Sequence, residues 1–241
     1  MAEAALYNAA GYLDRSFKAK GIGGWRKLYL SFIDELAPYT VIELGAGTPD
    51  FLDSIDAERR IAVDIGQRYA EAFRKRGIEF ACRNLEQDYL GDLGKADVAI
   101  CSDVFEHLIN PAAALDRISG MLGNSGILFS HVPNEYQLAH VVRVMLNRSE
   151  TVQFHKSAGE WDDPHFRRFS DTGYRNFLSR RFQHNLKLSD LRYGWGARLV
   201  RRLGMRVPYC LQGGPTYAST NDPEIFARLV ELKKEKFHAP A

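Results

Sequence analysis

The chain has 241 residues, 45% of them hydrophobic and 26% charged, with a formal net charge of +2. That length suits one large α/β domain, alone or with a small appendage, and the apolar content suffices for a real core. So even a charge balance gives no case for a nucleic-acid or anionic-membrane partner, and three cysteines (82, 101 and 210) without Cys-x-x-Cys spacing argue against a disulfide framework or a cysteine zinc site.

The opening MAEAALYNAAGYLDRS has no basic region followed by an apolar stretch, so no signal peptide is expected. No run approaches the roughly 18 apolar residues of a membrane helix. A reducing, cytoplasmic setting follows as the expectation. Residues 1–37 read as a helical arm carrying Tyr7, Tyr12, Phe17 and Trp25 among the glycines 21, 23 and 24. Such an arm either covers a ligand or packs as an amphipathic helix on the flank of a sheet.

Strand and helix patterns then alternate. YTVIEL (39–44) reads as a strand, followed by a helix over 49–55 with Thr48 as N-cap and Pro49 in its first turn. RIAVDI (60–65) is a second strand, and YAEAFRKRG (69–77) an amphipathic helix closed by Gly77. IEFACRN (78–84) is a third strand, and ADVAICSD (96–103) a fourth that is apolar on both faces, as a central parallel strand is. PAAALDRISGML (111–122) is a helix that stops near Gly123, and GILFSHVP (126–133) a fifth strand.

From residue 134 to about 182 the rhythm breaks. YQLAHVVRVMLNR predicts a helix, QFHKSAGEWDDPHFRRFSD a polar, aromatic and basic insertion, and 171–182 a second helix with Asp171 as N-cap. HNLKLSDLRYG (184–194) and GPTYAST (214–220) predict the sixth and seventh strands, before a terminal helix. The expected fold is α/β: a doubly wound, mostly parallel seven-stranded sheet with a helical lid over 134–182. Such sheets bind ligands outside the carboxyl ends of their strands, where strand order reverses. The unusual polar residues gather at those ends: 43–47, Asp64, Asn84 and 102–107.

ELGAGTPDF (43–51) decides the ligand class. Gly45 and Gly47 allow positive φ and close backbone approach, but the third glycine of a dinucleotide fingerprint is replaced by Asp50. Carboxylates at 43 and 50 would repel a pyrophosphate, and the Lys-Ser/Thr pair of a phosphate loop is absent. A cationic, phosphate-free nucleoside such as S-adenosylmethionine fits better. Asp64 adds to this, lying about 20 residues beyond Glu43, the offset at which an acidic residue meets ribose hydroxyls.

ELGAG, AVDI, SDVFEHLINPAAALDRISGMLGNSGILFSHVPN and HFRRFS together resemble class I S-adenosylmethionine-dependent methyltransferases. The likeness is greatest to the small-molecule branch with the ubiquinone-biosynthesis O-methyltransferases and the sugar and natural-product methyltransferases, and it spans roughly residues 38–182. It implies a methyltransferase domain over 38–241. It also implies that Glu43, Gly45 and Gly47 approach the methionine part of the cofactor and that Asp64 binds the ribose, with Ile65 against adenine. Asn84 and Leu85 would flank adenine, while Ser102, Asp103 and Val104 run beneath the cofactor and His107 faces the transferred methyl. Pro49 departs from the family pattern, which has a glycine there.

Methyl transfer is an in-line displacement in which the protein aligns the nucleophile and removes its proton. A base with near-neutral pKa favours histidine. His107 and His165 are the base candidates, and Arg167 beside His165 is a third catalytic candidate, in a segment that the resemblance implies lines the acceptor pocket; His131, inside a strand, reads as structural. His155, Asp162, Asp163 and His165 could gather a magnesium-type cation, but acidic pairs in loops are ordinarily solvated, and no metal is expected from them. The expected reaction is methyl transfer to a hydroxyl or amine of a small-molecule acceptor, a sugar or biosynthetic intermediate, with no nucleic-acid partner. A nicotinamide-dependent oxidoreductase and a non-catalytic binding protein are the rivals.

Overall fold

A computed structural model of the chain describes residues 24–148, 165–189, 205 and 207–238. Seven strands form one sheet: β1 (Thr40–Leu44), β2 (Arg59–Asp64), β3 (Glu79–Cys82), β4 (Ala96–Ser102), β5 (Leu122–His131), β6 (His184–Lys187) and β7 (Thr216–Thr220). Their order is β3-β2-β1-β4-β5-β7-β6. The first five pair in parallel, whereas β7 runs antiparallel to both β5 and β6. Strand order reverses between β1 and β4, so their carboxyl ends flank the crevice in which sheets of this kind hold ligands.

Helices α1 (Trp25–Leu36), α2 (Asp50–Asp53), α3 (Ala70–Lys75), α4 (Pro111–Met121), α5 (Leu138–Met145), α6 (Asp171–Leu178) and α7 (Pro223–His238) accompany the sheet. Strand side chains alternate between faces, and the core divides accordingly. Ile42, Leu44, Ala99, Cys101 and Leu128 pack with Leu115 and Ile118 of α4 and Tyr174 and Leu178 of α6. Val41, Val98, Ile100 and Phe129 pack on the other side with Tyr29, Phe32 and Ile33 of α1 and Leu229 and Leu232 of α7. Over its described part, then, the N-terminal arm is an amphipathic helix seated on a sheet face, ended by Ala37 in the left-handed region. No helix among the described residues is long and apolar enough to cross a membrane.

Several boundaries differ from expectation for local reasons. Pro49 is the N-cap of α2 rather than its first helical residue, Thr48 makes no cap, and the helix spans only Asp50–Asp53 because Ile55 turns into the core. Ser170, not Asp171, caps α6, its hydroxyl accepting the Gly173 N–H at 3.1 Å. Asp171 is engaged elsewhere, with Lys187 of β6 at 2.9 Å and the Tyr217 hydroxyl of β7 at 3.1 Å. β5 starts at Leu122, four residues early, since Leu122 is extended and pairs with Ala96 directly after α4. The predicted sixth strand is seen over His184–Lys187, and its extension past residue 189 lies outside the described residues, as does the middle of the expected lid.

Glu43 is the acidic exception in β1. It is 3% exposed, and burial pushes its carboxyl up to about 8, with Arg26 of α1 opposing the rise and Asp64 adding to it. The folded chain therefore keeps a proton that the unfolded chain, with an ordinary carboxyl near 4.5, releases. Stability should fall as pH rises from about 4.5 to about 8 and level off above. Chemical denaturation of Glu43→Gln across this window should lose that decline; an identical slope in the variant would assign it to another group.

Candidate active site

The glycine turn after β1 is anchored to its neighbour strand: the N–H groups of Gly45 and Ala46 donate to the Val63 carbonyl at 2.8 and 3.2 Å. Gly45 and Gly47 both have positive φ, 70° and 59°. A Cβ on Gly45 would lie 2.4 Å from Val104 Cγ2, so packing of the β4 loop against the turn already demands glycine. Asp64, at the end of β2, accepts the Gly47 N–H at 2.9 Å on one oxygen and the Gly66 N–H at 2.8 Å on the other. Burial raises its carboxyl pKa against those bonds. Among the described residues, Glu43 Oε2 is buried with no hydrogen-bond partner.

Asp50 does not join these carboxylates. It forms an ion pair with Arg76 at 2.8 Å, both side chains more than a third exposed, so its charge is offset outside the turn. The sequence argument that set Asp50 against a pyrophosphate therefore loses weight, and the burden passes to Glu43 and Asp64.

At the end of β4, Ser102 Oγ lies 3.5 Å from the Tyr29 hydroxyl of α1. Asp103 takes a left-handed conformation (φ 56°) and donates its N–H to the His131 carbonyl at 3.0 Å. His131 is engaged within the fold: Nδ1 meets Thr216 Oγ1 at 2.9 Å, and the ring stacks on Trp25. Ile65 is half-buried, its carbonyl accepting the Cys82 thiol. Asn84 organises the turn after β3, accepting the Glu86 N–H on its side-chain oxygen, and Leu85 beside it is buried.

The second group is built on the short 3-10 turn Phe105–His107. The Arg167 N–H donates to the Glu106 carbonyl at 3.0 Å, and the Arg167 guanidinium to the Ile109 carbonyl at 2.5 Å. These two bonds lay the 165–168 segment along the turn and bring the His165 ring to 4.7 Å from that of His107, edge-on. Arg167 thus fastens the segment. The residue missed from sequence is Glu135, just past β5. Its Oε1 lies 2.6 Å from His165 Nδ1 and its Oε2 3.5 Å from Arg168. The bond from His165 holds the Glu135 carboxyl below its usual value. An acidic residue directly following a strand end was the only available signal; its partner lies thirty positions away.

Glu135 also lines an open polar cleft of about 380 Å³, with His131, Asn134, Gln137, His140 and Arg143 among its other walls. Asn134 holds that wall in place, donating to the Tyr209 and Gln212 carbonyls at 3.0 Å each. His155, Asp162 and Asp163 lie outside the described residues.

A family model described as a methyltransferase domain matches residues 17–187. No curated protein matches significantly. Among solved structures, the plantazolicin methyltransferase BamL, bound to a substrate analogue and S-adenosylhomocysteine, is 12% identical with a TM-score of 0.60, over 91% of this chain and 95% of that one. A possible histamine N-methyltransferase from Thermotoga maritima is 17% identical at TM-score 0.54, over 90% and 94%. The N-methyltransferase NodS from Bradyrhizobium japonicum WM9, with S-adenosylhomocysteine, is 14% identical at 0.53, over 89% and 100%. At such identities the structural likeness speaks for the fold. The family match, spanning most of the chain, says more and sets the nicotinamide alternative aside: the chain belongs to the methyltransferase-domain family, enzymes that take their methyl group from S-adenosylmethionine.

Proposed function

We propose that the enzyme methylates a hydroxyl group of a small-molecule acceptor, a sugar or biosynthetic intermediate, and that the hydroxyl loses its proton at the imidazole pair His107–His165. The observation carrying this reading is the Glu135–His165 contact at 2.6 Å beside the His107 ring, placed just past the carboxyl ends of β4 and β5. A carboxylate on Nδ1 fixes the tautomer of an imidazole and raises its basicity, the usual way of making histidine useful to a hydroxyl nucleophile. The adjoining cleft, of small-molecule size and polar, suits such an acceptor.

The residues fit the cofactor. Glu43 Oε2, buried and lacking a hydrogen-bond partner, is complementary to an ammonium. Asp64 spends only part of its acceptor capacity on Gly47 and Gly66 and keeps lone pairs for ribose hydroxyls. Gly45 and Gly47 would approach the methionine part; Ile65, Asn84 and Leu85 would border the adenine, and Ser102, Asp103 and Val104 the underside. When bound, S-adenosylmethionine supplies an electrophilic methyl carbon on its sulfonium. The three unbridged cysteines suit the cytoplasmic setting expected from sequence.

Two measurements bear on this. Asp64→Ala should weaken S-adenosylhomocysteine binding at least about tenfold by calorimetry, through lost charge-assisted hydrogen bonds; an unchanged dissociation constant removes Asp64 from the site. With a methyl-labelled donor and a panel of polyhydroxylated metabolites, the wild type should give an O-methylated product. His165→Ala should slow that reaction by about 10²–10⁴ with S-adenosylhomocysteine affinity retained, whereas equal loss of both would make His165 structural.

A further inference from the structure

Glu106 sits beside the imidazole pair in a way that proton transfer alone does not require. Its side chain is 1% exposed and its carboxylate oxygens are closed off from solvent. One donor atom each from Glu106, His107 and His165 fall within 4.8 Å of one another. Donors bound at about 2.0–2.1 Å in a tetrahedral site stand roughly 3.4 Å apart, so a contraction of at most about 1.4 Å closes this set.

The surroundings of His165 agree. With Nδ1 engaged by Glu135 at 2.6 Å, a metal would be held through Nε2. Carboxylate–histidine–metal relays fix the ligand's tautomer and orientation in this manner. The backbone bond from Arg167 to Glu106 holds the two ligand-bearing segments together before any ion arrives. These residues differ from the loop acids considered in the sequence, and only His165 is common to both sets.

We propose that Glu106, His107 and His165 bind a divalent transition-metal cation, and that the acceptor hydroxyl occupies an open coordination position on it. Two imidazoles and one carboxylate select zinc-, manganese- or iron-type ions over magnesium or calcium, which prefer all-oxygen shells. Three protein ligands leave a position open, as metal sites that do chemistry require. The cation lowers the hydroxyl's pKa as it lowers that of bound water. The acceptor O–H bond breaks and its proton leaves to solvent. The oxygen's electron pair forms the O–CH₃ bond, and the S–CH₃ pair stays on sulfur, giving S-adenosylhomocysteine. The inference rests on the hydroxyl-methylation reading above but gives the imidazole pair the place of metal ligands instead of proton acceptors, favouring acceptors with hydroxyls able to ligate a metal.

The test is titration of the metal-stripped 241-residue chain with Co²⁺, followed by calorimetry and by visible absorption. Saturable binding with the spectrum of a nitrogen- and oxygen-ligated ion is expected. His107→Ala and His165→Ala should each weaken it at least about tenfold, and Glu135→Gln by about 10–100-fold. S-adenosylhomocysteine affinity, unchanged in His165→Ala and Glu135→Gln, and a wild-type circular dichroism spectrum for His107→Ala report that they are folded. Absence of saturable binding in the wild type, or affinity unaltered in both histidine variants, would overturn the site. So would undiminished O-methylation by chelator-treated enzyme, an outcome that leaves the hydroxyl reading standing. Co²⁺ bound as described but with no hydroxyl acceptor methylated supports the site while removing that reading.

Discussion

The carboxylate of Asp64 joins the ends of two strands. One oxygen holds the backbone of the turn after β1 through Gly47, and the other holds the turn after β2 through Gly66. A short acidic side chain thereby does what neither glycine-rich turn can do alone, since residues with positive φ at 45 and 47 lack side chains to fix them. The two backbone N–H groups compensate part of the cost of burying the carboxyl, and the rest shows as its raised pKa. The shape of the crevice between β1 and β4 follows from this arrangement.

The sheet then sorts its chemistry by face. Period-two alternation puts Glu43, Ser102 and His131 on the side of α1, where they meet Arg26, Tyr29 and Trp25. Phe105, by contrast, packs with Tyr174 and Phe177 of α6. The turn that carries Glu106 and His107 therefore sits over the α6 side, and the Ser170 cap of α6 follows directly on the segment that supplies His165 and Arg167. On the proposed reading, holding a nucleoside and handling an acceptor are each tied to a different packed helix.

Much of this was legible in the residues. Strands with unbroken apolar runs, such as VAIC in β4, declare themselves because a parallel strand covered on both faces has no polar side to hide. Glu43, Gly45, Gly47 and Asp64 could be picked out because polar groups abutting such runs fall at the strand ends. What escaped depends on partners distant in sequence. Asp171 looked like a helix cap until Lys187 and Tyr217 claimed it. Asp50 looked like part of the turn's charge until Arg76 offset it. Glu135 offered only its place after a strand as a signal, because its role is conferred by His165. Propensity sees neighbours along the chain, and these assignments are settled across it.

The antiparallel β7 has a consequence for how the molecule comes into being. It fills the place between β5 and β6, although it is the last strand in the chain. Until residues 216–220 are available, β5 keeps a bare edge and β6 has no neighbour, and loop closure over this distance is slow. The Thr216 hydroxyl that holds His131 arrives with the same strand. During synthesis the five-stranded unit β1–β5 can assemble early, while the sheet beside His131 is completed only once β7 has left the ribosome.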